Sequence, residues 1–201
     1  MPEPLIYIYA DESCLGNQFA SRARPGGAGG LVEHLHAGRG WVRRDFWISS
    51  PDTTNNRMAI TSAILPLTAL RDPSNVVFTT DSRYLVDGMT SWIHGWAPRG
   101  WRRKGGEIEN LALWRELVEA AREHRVEWRW VKGHAGHPQN EYANHLATRA
   151  AAEQDASGGL VESAFAGWMV DQQERGRYLE FTPPVPESEK FRPARAVPGA
   201  R

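Results

Sequence analysis

Residues 75–80 read NVVFTT, a short and almost wholly apolar, β-branched stretch lying between two segments of helical pattern. A strand written this way is buried on both faces, and a strand reached through helix from its predecessor joins the parallel part of a sheet. The rest of the chain supplies its neighbours. LIYIYA (5–10), GGLVEHL (29–35) and WVRRDFWI (41–48) have strand composition and are parted by glycine-containing turns, which predicts an antiparallel meander. Met58, Ile60, Ala63, Ile64, Leu67 and Leu70 recur at helical spacing, with Pro66 expected to bend that helix. Helices are then expected over 82–97 and 109–124, a fifth strand at VEWRWV (126–131), and a helix over 138–154 opened by Pro138. The order βββαβααβα predicts an α/β domain with a mixed five-stranded sheet flanked by helices, strands four and five running parallel to strand one.

The chain has 201 residues and is 41% hydrophobic, enough for one compact domain, which we bound at 1–155. Residues 156–201 change character: a docked helix is expected over 160–178 around Phe165, Trp168 and Met169, followed by a flexible proline-rich tail. The formal net charge is zero, so any attraction to nucleic acid must be local, as at RGWRRK (99–104). The lone Cys14 excludes an internal disulfide and fits a reducing, cytoplasmic setting. The apolar run at 5–10 is too short for a signal peptide or a membrane span.

Parallel pairing of strands one and four sets their C-terminal ends side by side, where open α/β sheets bind ligands. Asp11 follows the first and Asp81 the fourth. Two converging carboxylates make a hard oxygen site suited to Mg²⁺ or Mn²⁺, although an aspartate after a strand is more often a turn former or helix cap. The glycine-flexed GHAGH loop (133–137) carries His134 and His137 without a third soft ligand for zinc, and His134 is better suited to moving protons.

YADESCLGN (9–17), TTNNRM (53–58), TDSRYLVDGMTSWIHGWAPRGW (80–101) and VKGHAGHPQNE (131–141), in this order, resemble bacterial ribonuclease HI across about residues 4–152. The resemblance implies the ribonuclease H-like fold and hydrolysis of the RNA strand of RNA–DNA hybrids with two divalent metal ions. Of the family's four acidic positions, Asp11 and Asp81 match the first and third, while Ala59 and Asn144 stand at the second and fourth. Half the carboxylates are missing on this count, which predicts weak metal binding and slowed cleavage. Glu12, where the family usually has glycine, is a candidate replacement, with the objection that neighbours along a strand point to opposite faces. His145 and Arg83 are further departures from the pattern. By the same resemblance Asn17, Asn55 and Asn56 address the hybrid's minor groove and Thr54 a DNA phosphate, and Trp92, Trp96 and Trp101 with Arg102, Arg103 and Lys104 form a basic protrusion holding the DNA strand. A monomer is expected. Two alternatives remain at this point: an inactive hybrid-binding module, and a scaffold engaging a protein partner through the C-terminal extension.

Overall fold

The computed structural model describes residues 5–15, 24–133, 136–183 and 185–199. Its sheet has six strands, in the spatial order fifth, fourth, first, second, third, sixth. Strands β1 (Leu5–Cys14), β2 (Gly26–His36) and β3 (Gly40–Ser50) form the antiparallel meander. Strands β4 (Asn75–Thr80) and β5 (Arg125–Trp130) extend it in parallel from β1. The expected α/β architecture is the observed one, with one strand more than foreseen: β6 (Val161–Glu162) pairs antiparallel with β3. Two residues carry no alternation to read, so this strand has no signature in the sequence.

Helix α1 (Asn55–Ala69) contains Pro66 and packs Ala59, Ile60 and Ala63 with Ile8 and Ala10 of β1 in the main core. Helix α5 (Pro138–Glu153) covers the opposite face, where Leu146 and Ala147 lie against β2 at Gly29. Alternation along β1 therefore sends even-numbered side chains toward α1 and odd-numbered ones toward α5. The helix expected over 82–97 is broken into α2 (Arg83–Asp87), a π-helical turn at Gly88–Trp92 and α3 (Ile93–Trp96). The break has a packing cause: a Cβ at Gly88 would lie 2.0 Å from the Trp114 ring, so α4 (Leu111–Ala121) is pressed against this turn.

The extension is fastened through Asp45. This buried carboxylate accepts hydrogen bonds from Tyr142 Oη (2.6 Å), Ser163 Oγ (2.6 Å) and Ala164 N (2.9 Å), tying β3 and α5 to the start of α6 (Phe165–Glu174). Phe165 and Met169 then join a second cluster with Leu31, Tyr142 and Leu146. The proline-rich tail is not the free end that its composition suggests. Ala194 N donates to Val126 O at 2.8 Å, Arg192 N donates to Glu127 Oε2 at 2.6 Å, and Phe191 packs on Leu5, Tyr7 and Val77. The outer edge of β5 offers its backbone, and one aromatic anchor suffices to seat an extended segment there. Half-burying Phe191 stabilises by about 1–2 kcal/mol. Deleting residues 182–201 is accordingly expected to lower the melting temperature by roughly 3–8 °C; a calorimetric scan of the truncated chain checks this, and an unchanged transition would mean the tail contributes nothing.

Candidate active site

Asp11, Glu12 and Asp81 each place one carboxylate oxygen within 4.8 Å of the others. Parallel pairing of β1 with β4 stops at Tyr9–Thr79, and the three carboxylates gather just beyond it, where the strand ends open. Asp11 folds back so that Glu12 N donates to its Oδ1 at 2.7 Å, while Asn140 Nδ2 on α5 approaches its Oδ2 at 3.5 Å. Glu12 comes from the other side. It shares its face of β1 with Ala10 and Cys14, the face that packs on α1, and this is the side on which Ala59 lies buried. Alternation sets Glu12 and Asp11 on opposite faces of β1, and their carboxylates nonetheless reach one point.

Burial and mutual repulsion set the electrostatics of the cluster. Burial first, and the neighbouring Asp81 carboxylate second, push Asp11 up to about 8. Burial, then Asp11 and Asp81, likewise raise Glu12 well above the usual carboxylate range. Glu12 Oε2 is buried without a hydrogen-bond partner among the described residues. Three hard oxygen donors, one of them unsatisfied, fit Mg²⁺ or Mn²⁺ and do not suit a soft metal.

Asp81 is held by groups that sequence reasoning missed. Trp130 Nε1 donates to Asp81 O at 2.9 Å, and the Arg83 guanidinium lies 3.9 Å from the centre of the same indole. Thr80 Oγ1 accepts from Ser82 N at 3.1 Å, and Ser82 Oγ caps α2. Gly133 stands so close that a Cβ there would lie 2.2 Å from Asp81 Oδ2. Gly133→Ala would force the carboxylate to swing out of the cluster. Displacement by about 1 Å costs on the order of a hundredfold in rate, so kcat/KM is expected to fall by roughly ten- to a hundredfold while the melting temperature stays put. Equal loss of both would mark Gly133 as a folding residue instead.

The family model for RNase H matches residues 3–152. A ribonuclease H of Acidithiobacillus ferrooxidans is 43% identical over 171 residues, 84% of this chain and all of the relative. The chain belongs to the ribonuclease H family. A second ribonuclease H, from a Shewanella species, is 45% identical over 74% of this chain and 88% of its own length. Among solved structures, LC9-RNase H1, described as a type 1 RNase H with the type 2 active-site motif, superposes with a TM-score of 0.88 at 54% identity, covering 98% of this chain and 95% of its own. The ribonuclease H domain of prototype foamy virus shares the fold at a TM-score of 0.60 and 19% identity, covering 75% of this chain and 95% of its own.

The remaining residues marked by the ribonuclease H resemblance fall in three groups and one single position on α5. Asn17 and His134 lie outside the described residues. At the start of α1, Thr54 Oγ1 accepts from Arg57 N at 3.3 Å as the N-cap, Asn55 is exposed and Asn56 half-buried. In the protrusion, Trp92 and Trp96 stack obliquely at 5.7 Å and both meet Trp114, so these rings build the protrusion as much as they present it. Trp101 packs on the core under the Arg115 guanidinium, and Arg102, Arg103 and Lys104 are exposed. Asn144 is half-buried one helical turn beyond Asn140. Among the described residues no helix is long and apolar enough to cross a membrane.

Proposed function

We propose that this protein hydrolyses the RNA strand of RNA–DNA hybrids with divalent cations, and that its working carboxylates are Asp11, Glu12 and Asp81. The observation that carries the reading is the convergence of these three within 4.8 Å, with Glu12 reaching in from the side on which Ala59 lies. The deficit counted from the sequence then shrinks from two carboxylates to one. LC9-RNase H1, with its combination of type 1 chain and type 2 motif, supports an acidic set that is rearranged and not depleted.

Asp11, Glu12 and Asp81 would hold Mg²⁺ or Mn²⁺, with the amide oxygen of Asn144 as a neutral fourth donor on α5. Such ions, when bound, polarise a phosphodiester and acidify water for in-line attack. The protein's own groups do the rest. Trp130 and Gly133 fix where Asp81 can point, and Asn140 restrains Asp11. Asn17, Asn55 and Asn56 offer amide groups to the minor groove, where RNA displays its 2′-hydroxyls. Thr54, its oxygen accepting the cap bond, keeps a hydroxyl proton for a DNA phosphate. Arg102, Arg103 and Lys104 meet the DNA strand, and His134 shuttles a proton as the product leaves. The lone Cys14 suits a reducing compartment such as the cytoplasm, and the protein is read as working as a monomer.

The test is cleavage of a labelled hybrid in Mg²⁺ and in Mn²⁺, with Asp11→Asn as control. Metal-dependent shortening of the RNA by the parent chain alone is expected. A hybrid that is retarded on gels yet uncut in both metals would leave a binding module and sink the enzymatic reading.

A further inference from the structure

Along the outer face of α5 the extension encloses an open cavity of about 500 Å³. Its floor is the outer face of α5, from Glu141 and Asn144 to Arg149, and its wall is α6 with the turn after it. Rings line that wall in sequence: His145 stands 6.5 Å from Trp168, and Trp168 stands 6.0 Å from Tyr178. Tyr178 sits at φ 53°, a left-handed conformation that a non-glycine residue adopts at a cost, and Arg177 N donating to Gln172 O at 2.9 Å holds the turn that imposes it.

The charge of this cavity is cationic. Arg149, Arg175 and Arg177 line it against the single carboxylate Glu141. Arg149 is committed elsewhere, to Glu153 at 3.6 Å and to the Trp47 ring at 4.3 Å. Arg175 and Arg177 are exposed and form no salt bridge among the described residues; Arg177 has only a long 3.5 Å contact to Gln172 Oε1. Two free guanidinium groups beside a ladder of rings suit a polynucleotide backbone.

Position decides which strand. Asn140 touches Asp11, and Glu141, whose charge acts on Asp11, follows it into the cavity lining, so the cavity opens next to the carboxylates. The basic protrusion packs instead with the α1 core, across the sheet from the cluster that α6 joins. A hybrid spanning both sides gives its DNA strand to the protrusion and the strand being cut to the extension.

We propose that Arg175 and Arg177, backed by Trp168 and Tyr178, bind phosphates of the RNA strand beyond the cut site, so that the C-terminal extension is a second substrate-binding element. This rests on the hybrid-cleaving reading, and its test separates the two. In the full chain, Arg175→Ala with Arg177→Ala is expected to raise KM for hybrid about tenfold with kcat within twofold, and to reduce the slope of log affinity against log salt by between about one and two, the signature of one or two lost phosphate contacts. Arg175→Lys with Arg177→Lys keeps the charge and should keep the salt slope, which excludes a folding defect as the cause. Shortening the RNA strand beyond the cut should make parent and alanine variant bind alike, whereas shortening the DNA strand should leave the difference intact. The reverse pattern overturns the strand assignment. Unchanged KM and salt slope in an active variant overturn the proposal, as would loss of a captured protein partner with hybrid KM preserved. Failure of the parent to bind or cut hybrid at all would instead remove the reading on which it rests.

Discussion

Glu12→Gly is expected to lower kcat/KM for hybrid at least a hundredfold, and adding Ala59→Glu to it should restore most of the loss. Removing one of three carboxylates forfeits a few kcal/mol of transition-state stabilisation, and each 1.4 kcal/mol is about tenfold in rate. The recovery is the more searching part. Glu12 lies on the face of β1 that packs on α1, and Ala59 is fully buried in that packing, so one side or the other can supply the acid. With glycine at 12 the space above the strand is free for a glutamate on the helix. With Glu12 present, Ala59→Glu alone should gain nothing, because a second buried carboxylate in that space adds repulsion to groups already raised by their neighbours. A double-mutant cycle on kcat/KM in Mn²⁺ measures the coupling. Near-parent activity for Glu12→Gly would show that Asp11 and Asp81 suffice. An inactive double variant with an intact melting transition would show that the two positions do not exchange.

The site was legible in part, and the residues that escaped share a cause. Asp11 and Asp81 could be read because strand order alone brings β1 and β4 together: Asp81 directly follows β4, and Asp11, expected after β1, lies within it, just past the last residue paired with β4. Ala59 and Asn144 could be read only as departures from a resemblance. Glu12 was visible as a candidate, and alternation does separate it from Asp11 along β1, yet at an open sheet end acids from both faces can reach one point. Asn140, Trp130 and Gly133 could not be found at all. Each serves an aspartate remote in the chain, and neither a tryptophan indole on a backbone oxygen nor a glycine beside a carboxylate leaves any local pattern. The extension shows the same limit in the fold. Trp168 announced a helix, but Asp45, which anchors it, sits among charged and aromatic strand residues and looks like any solvent-facing acid until Tyr142, Ser163 and Ala164 are seen around it. A proline-rich composition describes how little a tail can bury alone; it is silent about a free strand edge such as that of β5.

Affinity for Mn²⁺ is expected to rise about a hundredfold between pH 6 and pH 8. Asp11, pushed up to about 8 by burial and by Asp81, holds a proton at neutral pH while no cation is bound, and a metal ion must displace that proton to use both oxygens. Each proton displaced makes affinity climb about tenfold per pH unit below the group's own pKa. Glu12, raised in the same direction, steepens the dependence if it too gives up a proton on binding. The metal-free protein should behave in the opposite sense. An unfolded aspartate ionises near 4, so the folded state is favoured while both states are protonated, and that advantage is lost as pH rises from about 4 through the folded value of about 8. Melting temperature without metal should therefore decline over this window, and the increment produced by Mn²⁺ should grow as it does, because the ion substitutes for the missing proton. Calorimetric titrations at four pH values, paired with thermal scans with and without Mn²⁺, read both trends. Asp11→Asn should flatten them together, since the amide carries no proton to trade. A Mn²⁺ affinity that stays level from pH 6 to pH 8 would mean that the cluster is ionised before metal arrives, and that the carboxylates repel each other less than their spacing requires.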